Sequence, residues 1–295
     1  MNDTEAFAWM KLAHLLPHGG PGWIPWLYER LTHSDTSLEQ VFRMGPRRFR
    51  QVFPELDGGR FPKLRYEHFR NINSNQVDTL VSVYRNLSES YPLYPTHPLF
   101  PTRLLQQSDG RCPTVLYARG RPEILQTPSI AFIGARRTDS ATLRQTETFA
   151  AELAERGYNV LYGLANGVES AVHRGAHRVD GTTTLGLDRG IGTHCPHPRL
   201  GGGARNHLVL SPFHPGAVRT AARVRAGGRL VGRLCEAAVL VEGFGSRPPA
   251  TVAVLEQLRR AGTPVYTLGK SGVGGGPVVG GGELAAGRRA VASVS

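Results

Sequence analysis

Two glycine-bearing turns and one run of arginines are the parts of this sequence whose types and spacing suit a chemical task, and the task is holding an anion. The first turn is Ile133-Gly134-Ala135-Arg136-Arg137-Thr138-Asp139-Ser140. Gly134 lets the chain turn after an apolar strand. The N–H groups and the positive end of the helix that follows then point at whatever sits above the turn. Arg136 and Arg137 add planar forks for phosphate, and Asp139 or Ser140 can cap the helix. The second turn is Tyr162-Gly163-Leu164-Ala165-Asn166-Gly167-Val168-Glu169-Ser170-Ala171-Val172-His173. Gly163 and Gly167, four apart, let backbone approach a ligand closely. Both turns fall at the carboxyl ends of neighbouring parallel strands, where open α/β sheets bind ligands. The simpler alternative is a pair of ordinary βα turns with exposed arginines, and for His173 a helix residue that hydrogen-bonds a neighbouring loop. Neither turn is GxGxxG, so dinucleotide binding is weakly supported.

The arginine run holds Arg219, Arg223, Arg225, Arg229 and Arg233. Arg225, Arg229 and Arg233 recur every fourth residue and so share one side of a helix. That helix leads into the apolar strand Ala238–Val241, which predicts that the arginines end near the sheet. A fixed arginine stripe suits a phosphate backbone; a solvated helix face is the alternative. Other chemistries fit less well. His173 and His177 are four apart on a helix and His194, Cys195 and His197 are close, but no CxxC or HExxH pattern exists. Ser211 and Ser246 are not in a GxSxG elbow. Glu242, after a strand, reads as a turn-capping carboxylate sooner than as a base.

The charge points the same way. The chain of 295 residues carries 35 Lys+Arg against 23 Asp+Glu, a net +12. Lys11, Lys63 and Lys270 are the only lysines, which leaves 32 of those 35 as arginine. Such a protein attracts polyanions, although an arginine-rich genome gives the same count. Cys112, Cys195 and Cys235 are odd in number and far apart, as in a reduced cytosolic protein. No apolar run is long enough to span a membrane, and the acidic start does not read as a signal peptide.

Residues 1–90 read as a small helical domain. Helices are expected at Glu5–Leu16, Ile24–Leu31, after a cap at Ser37, around Phe49–Phe53 with a stop at Pro54, and at Asn75–Leu87. Residues 91–111, punctuated by Pro92, Pro95, Pro98 and Pro101, read as an extended linker. From 112 to 269 strands alternate with helices: Val115–Tyr117, Ile130–Ile133, Asn159–Tyr162, Thr182–Leu187, Leu208–Leu210, Ala238–Val241 and Val265–Leu268. That predicts an α/β domain, a Rossmann-like, mostly parallel sheet with helices on both faces. Residues 270–295 read as a glycine-rich flexible tail.

Taken in order, these motifs resemble the DNA-processing protein A (DprA/Smf) family over about Tyr94 to Gly269. Tyr94-Pro95, Pro113–Tyr117 and Gly120 are similar to its opening segment. Gly134, Arg136 and Ser140 are similar to its G-[ST]-R-x-x-S turn, with Arg137 the alternative alignment. Gly163, Ala165, Gly167, His173, Gly175-Ala176 and Gly181–Thr183 are similar to its glycine-and-histidine block. Val239–Glu242 with Gly245-Ser246, and Pro264–Tyr266 with Gly269, are similar to its last two strands. The departures are specific. Asn166 stands where the family has Arg, Glu169 where it has Asp and Tyr162 where it has Ser. Its RNR triplet falls on Gly227-Gly228-Arg229, and its closing segment on glycine runs. The amino-terminal helices are similar to its SAM-like or helix-hairpin-helix domain.

The resemblance implies a cytoplasmic protein that binds incoming single-stranded DNA, protects it and helps load the RecA recombinase in natural transformation, with no cofactor and no reaction of its own. Oligomeric state stays open, a homodimer included. The expected DNA contacts are Gly134, Arg136, Arg137, Ser140, Gly163, Gly167, Arg225, Arg229, Arg233 and Ser246. The rival readings are a Rossmann-like sensor of a small nucleotide and a nucleoside monophosphate phosphoribohydrolase-type enzyme. The latter carries PGGxGTxxE, which Gly243-Phe244-Gly245-Ser246 lacks.

Overall fold

Helix starts in the first 70 residues are set by caps and prolines. In the computed structural model the helices are α1 (Asp3–Leu15), α2 (Trp23–His33), α3 (Leu38–Arg43), α4 (Pro46–Val52), α5 (Pro54–Asp57) and α6 (Tyr66–Arg70). The structure describes residues 3–15, 22–57, 59, 61, 64–70, 90–106, 112–134, 137–163, 166–192, 206–243, 249–269 and 272–274. Ser37 caps α3 in a reciprocal capping box with Gln40. Pro46 opens α4, since proline lacks only an N–H that the first turn leaves unpaired anyway. The same logic corrects one expectation: Pro54 ends α4 and also begins α5. The helix expected over Asn75–Leu87 lies outside the described residues.

The chain forms two compact units, residues 1–117 and 118–295. An aromatic cluster fills the first. Trp26 packs on Phe53 and Phe61, and Phe49 on Phe53, Tyr66 and Phe69, with ring centroids 4.9 to 5.7 Å apart. A buried carboxylate ties its helices: Glu5 of α1 accepts from Trp9 Nε1 at 3.0 Å, from Leu38 N at 3.0 Å and from Glu39 N at 3.2 Å. Glu5 thus satisfies two orphan donors at the start of α3. Glu5→Ala is expected to cost this unit about 2–3 kcal/mol, because charged hydrogen bonds to backbone are lost and the donors stay buried. All three tryptophans, Trp9, Trp23 and Trp26, lie in this unit. A denaturant titration followed by tryptophan fluorescence should show the midpoint fall; an unmoved midpoint contradicts the assignment.

Residues 91–111, expected as an extended linker, belong to this unit. Strand β1 (Ser90–Leu93) forms there, and Leu93, Tyr94, Phe100 and Leu104 are buried. The prolines set the turns of this stretch, but its apolar side chains bury it.

The second unit is the expected α/β fold. Its strands are β2 (Leu116–Gly120, of which 118–120 lie in this unit), β3 (Ser129–Gly134), β4 (Asn159–Tyr162), β5 (Thr183–Gly186), β6 (His207–Ser211), β7 (Ala237–Val241), β8 (Val265–Gly269) and β9 (Gly272–Gly274). Its helices are α7 (Ser140–Glu155), α8 (Asn166–Arg178), α9 (Ala221–Leu234) and α10 (Pro249–Ala261). The strand order is β2-β6-β5-β4-β3-β7-β8-β9. Strands β3 to β8 pair in parallel, and β9 is antiparallel to its neighbour β8. Strands β3, β4, β5, β6 and β7 are buried along their whole length, as the inner strands of a parallel sheet covered on both faces are. Gly272–Gly274 forms a strand where a flexible tail was expected; residues 275–295 lie outside the described residues. No described helix is long and apolar enough to cross a membrane.

Candidate nucleic-acid interface

Parallel strands put all their carboxyl ends on one edge. That edge gathers Gly134, Gly163, the residues after Gly186, Ser211 and Glu242. Strand order reverses between β3 and β7. The connections after these two strands leave in opposite directions, which opens the crevice where such sheets take ligands. Arg137 and Asp139 stand on one side of it, and Thr138 Oγ1 reaches across to donate to the Glu242 carbonyl at 2.8 Å.

The first turn is held tightly. A Cβ on Gly134 would come within 2.9 Å of Val168 Cγ2 and 3.1 Å of Val241 Cβ. Glycine is needed there for close packing of α8 and β7; the φ of Gly134 is not positive. Thr251 of α10 donates to the Gly134 carbonyl at 3.0 Å. Between the two candidate caps of α7 the structure selects Asp139, which accepts from Thr142 N at 2.8 Å. Ser140 is the exposed first residue of that helix, and Arg137 is exposed before it. Arg136 and Ser246, both expected to contact DNA, lie outside the described residues. Gly163 and Gly167 are half-buried at the end of β4 and in the first turn of α8. A Cβ on Gly163 would lie 3.4 Å from Val231 Cγ2 of α9.

The arginine stripe has the expected period on α9 and descends along the sheet. A helix feeding a parallel strand descends from the carboxyl edge to the amino edge. Gly227 is level with the end of β5, where its Cβ would meet the Leu187 carbonyl at 2.8 Å. Arg233, six residues on, stands about 9 Å further down the helix. Exposure falls in step: Arg225 is exposed, Arg229 half-buried and Arg233 only 6% exposed. The three do not share one edge, and Arg233 is packed inside.

The sequence reading missed a charged cluster after β5. Asp188 is fully buried between two arginines, accepting from Arg189 Nε at 3.0 Å and from Arg219 Nε at 2.6 Å. The connections after β5 and β6 are laced together around it. Ser211 Oγ donates to the Arg189 carbonyl at 2.7 Å, Gly190 N to the Ala217 carbonyl at 2.7 Å and Gly192 N to the Pro215 carbonyl at 2.9 Å. Glu169, one turn into α8, is pushed up to about 7, first by burial, then by the Asp188 carboxylate, with Arg189 opposing. Burial first, and then the Arg223 charge, hold the nearby His214 below its ordinary value.

The histidines serve packing. His173 Nδ1 lies 3.0 Å from Tyr162 Oη on β4, and its ring stacks on His177 with centroids 5.9 Å apart. Among the described residues no group of three His, Cys, Asp or Glu could hold a metal ion; His194, Cys195 and His197 lie outside them.

A Rossmann-like, mostly parallel sheet with close-packed glycine turns on its carboxyl edge defines the class of this protein as α/β. The family model described as DNA recombination-mediator protein A matches residues 92–247, more than half of the chain, and the chain belongs to that family. Among curated relatives, DNA processing protein DprA of Streptococcus pneumoniae is 26% identical over 164 residues, which is 53% of this chain and 57% of that protein. A putative DprA of Mycobacterium tuberculosis is 34% identical over 157 residues, 51% of this chain and 40% of that protein. The match thus spans about half the length of these relatives. The X-ray structure of DNA processing protein A from Streptococcus pneumoniae aligns with a TM-score of 0.63 at 18% identity, over 91% of this chain and 87% of that one. A structure of DNA processing protein A from Helicobacter pylori, described for its single-stranded DNA binding mode, aligns with a TM-score of 0.52 at 23% identity, over 61% and 80%. At these identities the two structures establish the fold.

Proposed function

We propose that this protein binds single-stranded DNA through its phosphates along the carboxyl edge of the second unit, and that it serves DNA processing in transformation and recombination without making or breaking bonds. The observation that carries the reading is the crevice at the strand-order reversal. Gly134, Arg137, Ser140, Gly163 and Gly167 stand along its edge, and Arg225 is exposed on α9, whose start lies at the same edge. Family membership and the single-stranded DNA binding of the Helicobacter pylori relative support it. Arg136 and Ser246 complete the proposed contacts, Arg229 borders them, and Arg233 does not belong among them. Loading of RecA, a homodimer and a cytoplasmic location complete the proposal.

The test is a fluorescence anisotropy titration of labelled oligothymidylate, against a duplex of equal length, at two salt concentrations. Binding to the single strand should be tighter. Its log affinity should fall with log salt by about 0.7 for each phosphate held. Binding indifferent to salt, or no preference for the single strand, overturns the reading.

One observation favours a second reading. Glu169, with its proton held to about 7, is poised as a general acid–base group near physiological pH. A phosphoribohydrolase-type activity would release free base from AMP and lose that activity in Glu169→Gln. The DNA-binding reading expects no release from either protein.

A further inference from the structure

We infer that Arg189 and Arg219, held by Asp188, form a second phosphate seat on this edge, one that stands in for the arginine this chain lacks at the start of the triplet that the resemblance places on Gly227–Arg229. The inference rests on the DNA-binding reading and extends it to residues outside the glycine turns.

A single buried carboxylate needs one cationic partner; Asp188 has two. Both guanidinium groups engage it through Nε. A fork that gives its Nε–H to one acceptor keeps its Nη edge for another, and a planar, two-pronged edge is what a phosphodiester takes. The arginine side chains are 23% and 43% exposed, whereas Asp188 is fully buried. Fixing the forks in advance removes part of the entropy cost of holding a ligand. The hydrogen bonds from Ser211 Oγ, Gly190 N and Gly192 N hold both loops in register with the pair.

Position supports the role. Strand β5 lies two places from β3 in the sheet. The seat is therefore about 10 Å along the edge from the crevice, at the usual strand spacing, and an extended strand lying on the edge would pass both. The triplet positions explain why the charge sits here. Gly227 is pressed so close to Leu187 and Asp188 that no side chain fits. The arginines that occupy the neighbouring loops approach the same place from the other side. Near the seat the charged groups are Glu169 on α8, Asp188 and Arg189 after β5, and Arg219 and Arg223 before and in α9.

The test uses the full chain, oligothymidylate and inorganic phosphate as probes. Arg189→Gln and Arg219→Gln should each weaken oligothymidylate binding roughly fivefold at about 0.1 M salt and lower the salt slope by about 0.7, the share of one phosphate contact on a single strand. Since either change loosens a buried carboxylate, the triple variant Asp188→Asn, Arg189→Gln, Arg219→Gln removes the charge together with its partners. It should fold and still lose both contacts. Wild-type affinity and slope in the triple variant overturn the seat and leave the DNA-binding reading standing. A wild-type protein that ignores DNA but melts higher in phosphate, an effect absent in the triple variant, keeps the seat and overturns that reading. A protein whose melting ignores phosphate and whose DNA binding is also absent overturns both.

Discussion

Gly227→Arg is expected to weaken the protein, although it restores a residue that the family carries at this place. The Cβ of any side chain at 227 would sit 2.8 Å from the Leu187 carbonyl oxygen and 3.3 Å from Asp188 Cα. Both are backbone atoms of a connection tied down by its hydrogen bonds to the neighbouring loop, so neither yields as a flexible side chain would. Replacing glycine inside a helix gains up to about 1 kcal/mol of helix propensity. Forcing atoms into a closed contact costs about 1–3 kcal/mol and sometimes more. The clash wins, and α9 must lift away from the end of β5. We expect a net loss of about 2 kcal/mol in the second unit, or roughly 4–8 °C in its melting temperature. Gly227→Ala should show most of the loss, because the offending atom is Cβ itself. Calorimetry checks this. A Gly227→Arg protein that melts as high as the wild type would mean that α9 and β5 are not packed in this way.

Glu169→Gln is expected to act in the opposite direction. In the folded protein Glu169 holds its proton to about 7, against an ordinary 4.5. Below the ordinary value both folded and unfolded chains carry a protonated group, and its contribution is fully favourable. As pH rises from there toward 7 the unfolded chain releases its proton and the folded one does not, so stability falls. Above 7 the folded chain must ionise a half-buried group beside Asp188, and the loss is complete. The span corresponds to about 3 kcal/mol. Glutamine has no proton to lose. The stability difference between Glu169→Gln and wild type should therefore be small below pH 4.5 and rise to about 3 kcal/mol in favour of glutamine by pH 8. A difference that stays flat across that range contradicts the burial assigned to Glu169. The same titration bears on ligand binding. With Glu169 neutral, Arg189 and Arg219 outweigh Asp188; with Glu169 ionised, the four groups cancel. Oligothymidylate should bind more tightly at pH 6 than at pH 8, and the variant should lose that dependence.

The strand series was legible because β3 and β7 carry uninterrupted apolar runs and the strands between helices recur in order. Ile130–Ile133 and Ala238–Val241 could be placed from sequence and are neighbours in one parallel ladder. Strand β1 was not legible, since Pro92 within it and the prolines after it look like a linker, yet Leu93 and Tyr94 are buried. In the site, the two glycine turns were found by position, but the reason for Gly134 was packing and not turn geometry. Spacing showed the period of Arg225, Arg229 and Arg233. It could not show the direction of descent, which follows from the parallel connection. Asp188 was missed because Asp188-Arg189 looks like an ordinary turn and its second partner, Arg219, is 31 residues away. The available signal was the rule already applied to the first two turns: residues after a third parallel strand, Thr183–Gly186, share the same edge.

Single-stranded DNA that lies on the carboxyl edge of the second unit must come within reach of that edge's loops. Photo-crosslinking of iodouracil-substituted oligonucleotide to the full chain, with the joined peptides identified by mass spectrometry, tests that placement most directly. Crosslinks are expected in residues 134–142, 186–192 and 211–225, at the ends of β3, β5 and β6 and the start of α9. They should fade as salt is raised. Crosslinks confined to residues 156–158, 179–182 and 234–236, at the opposite edge of the same sheet, or to residues 3–70, would contradict it.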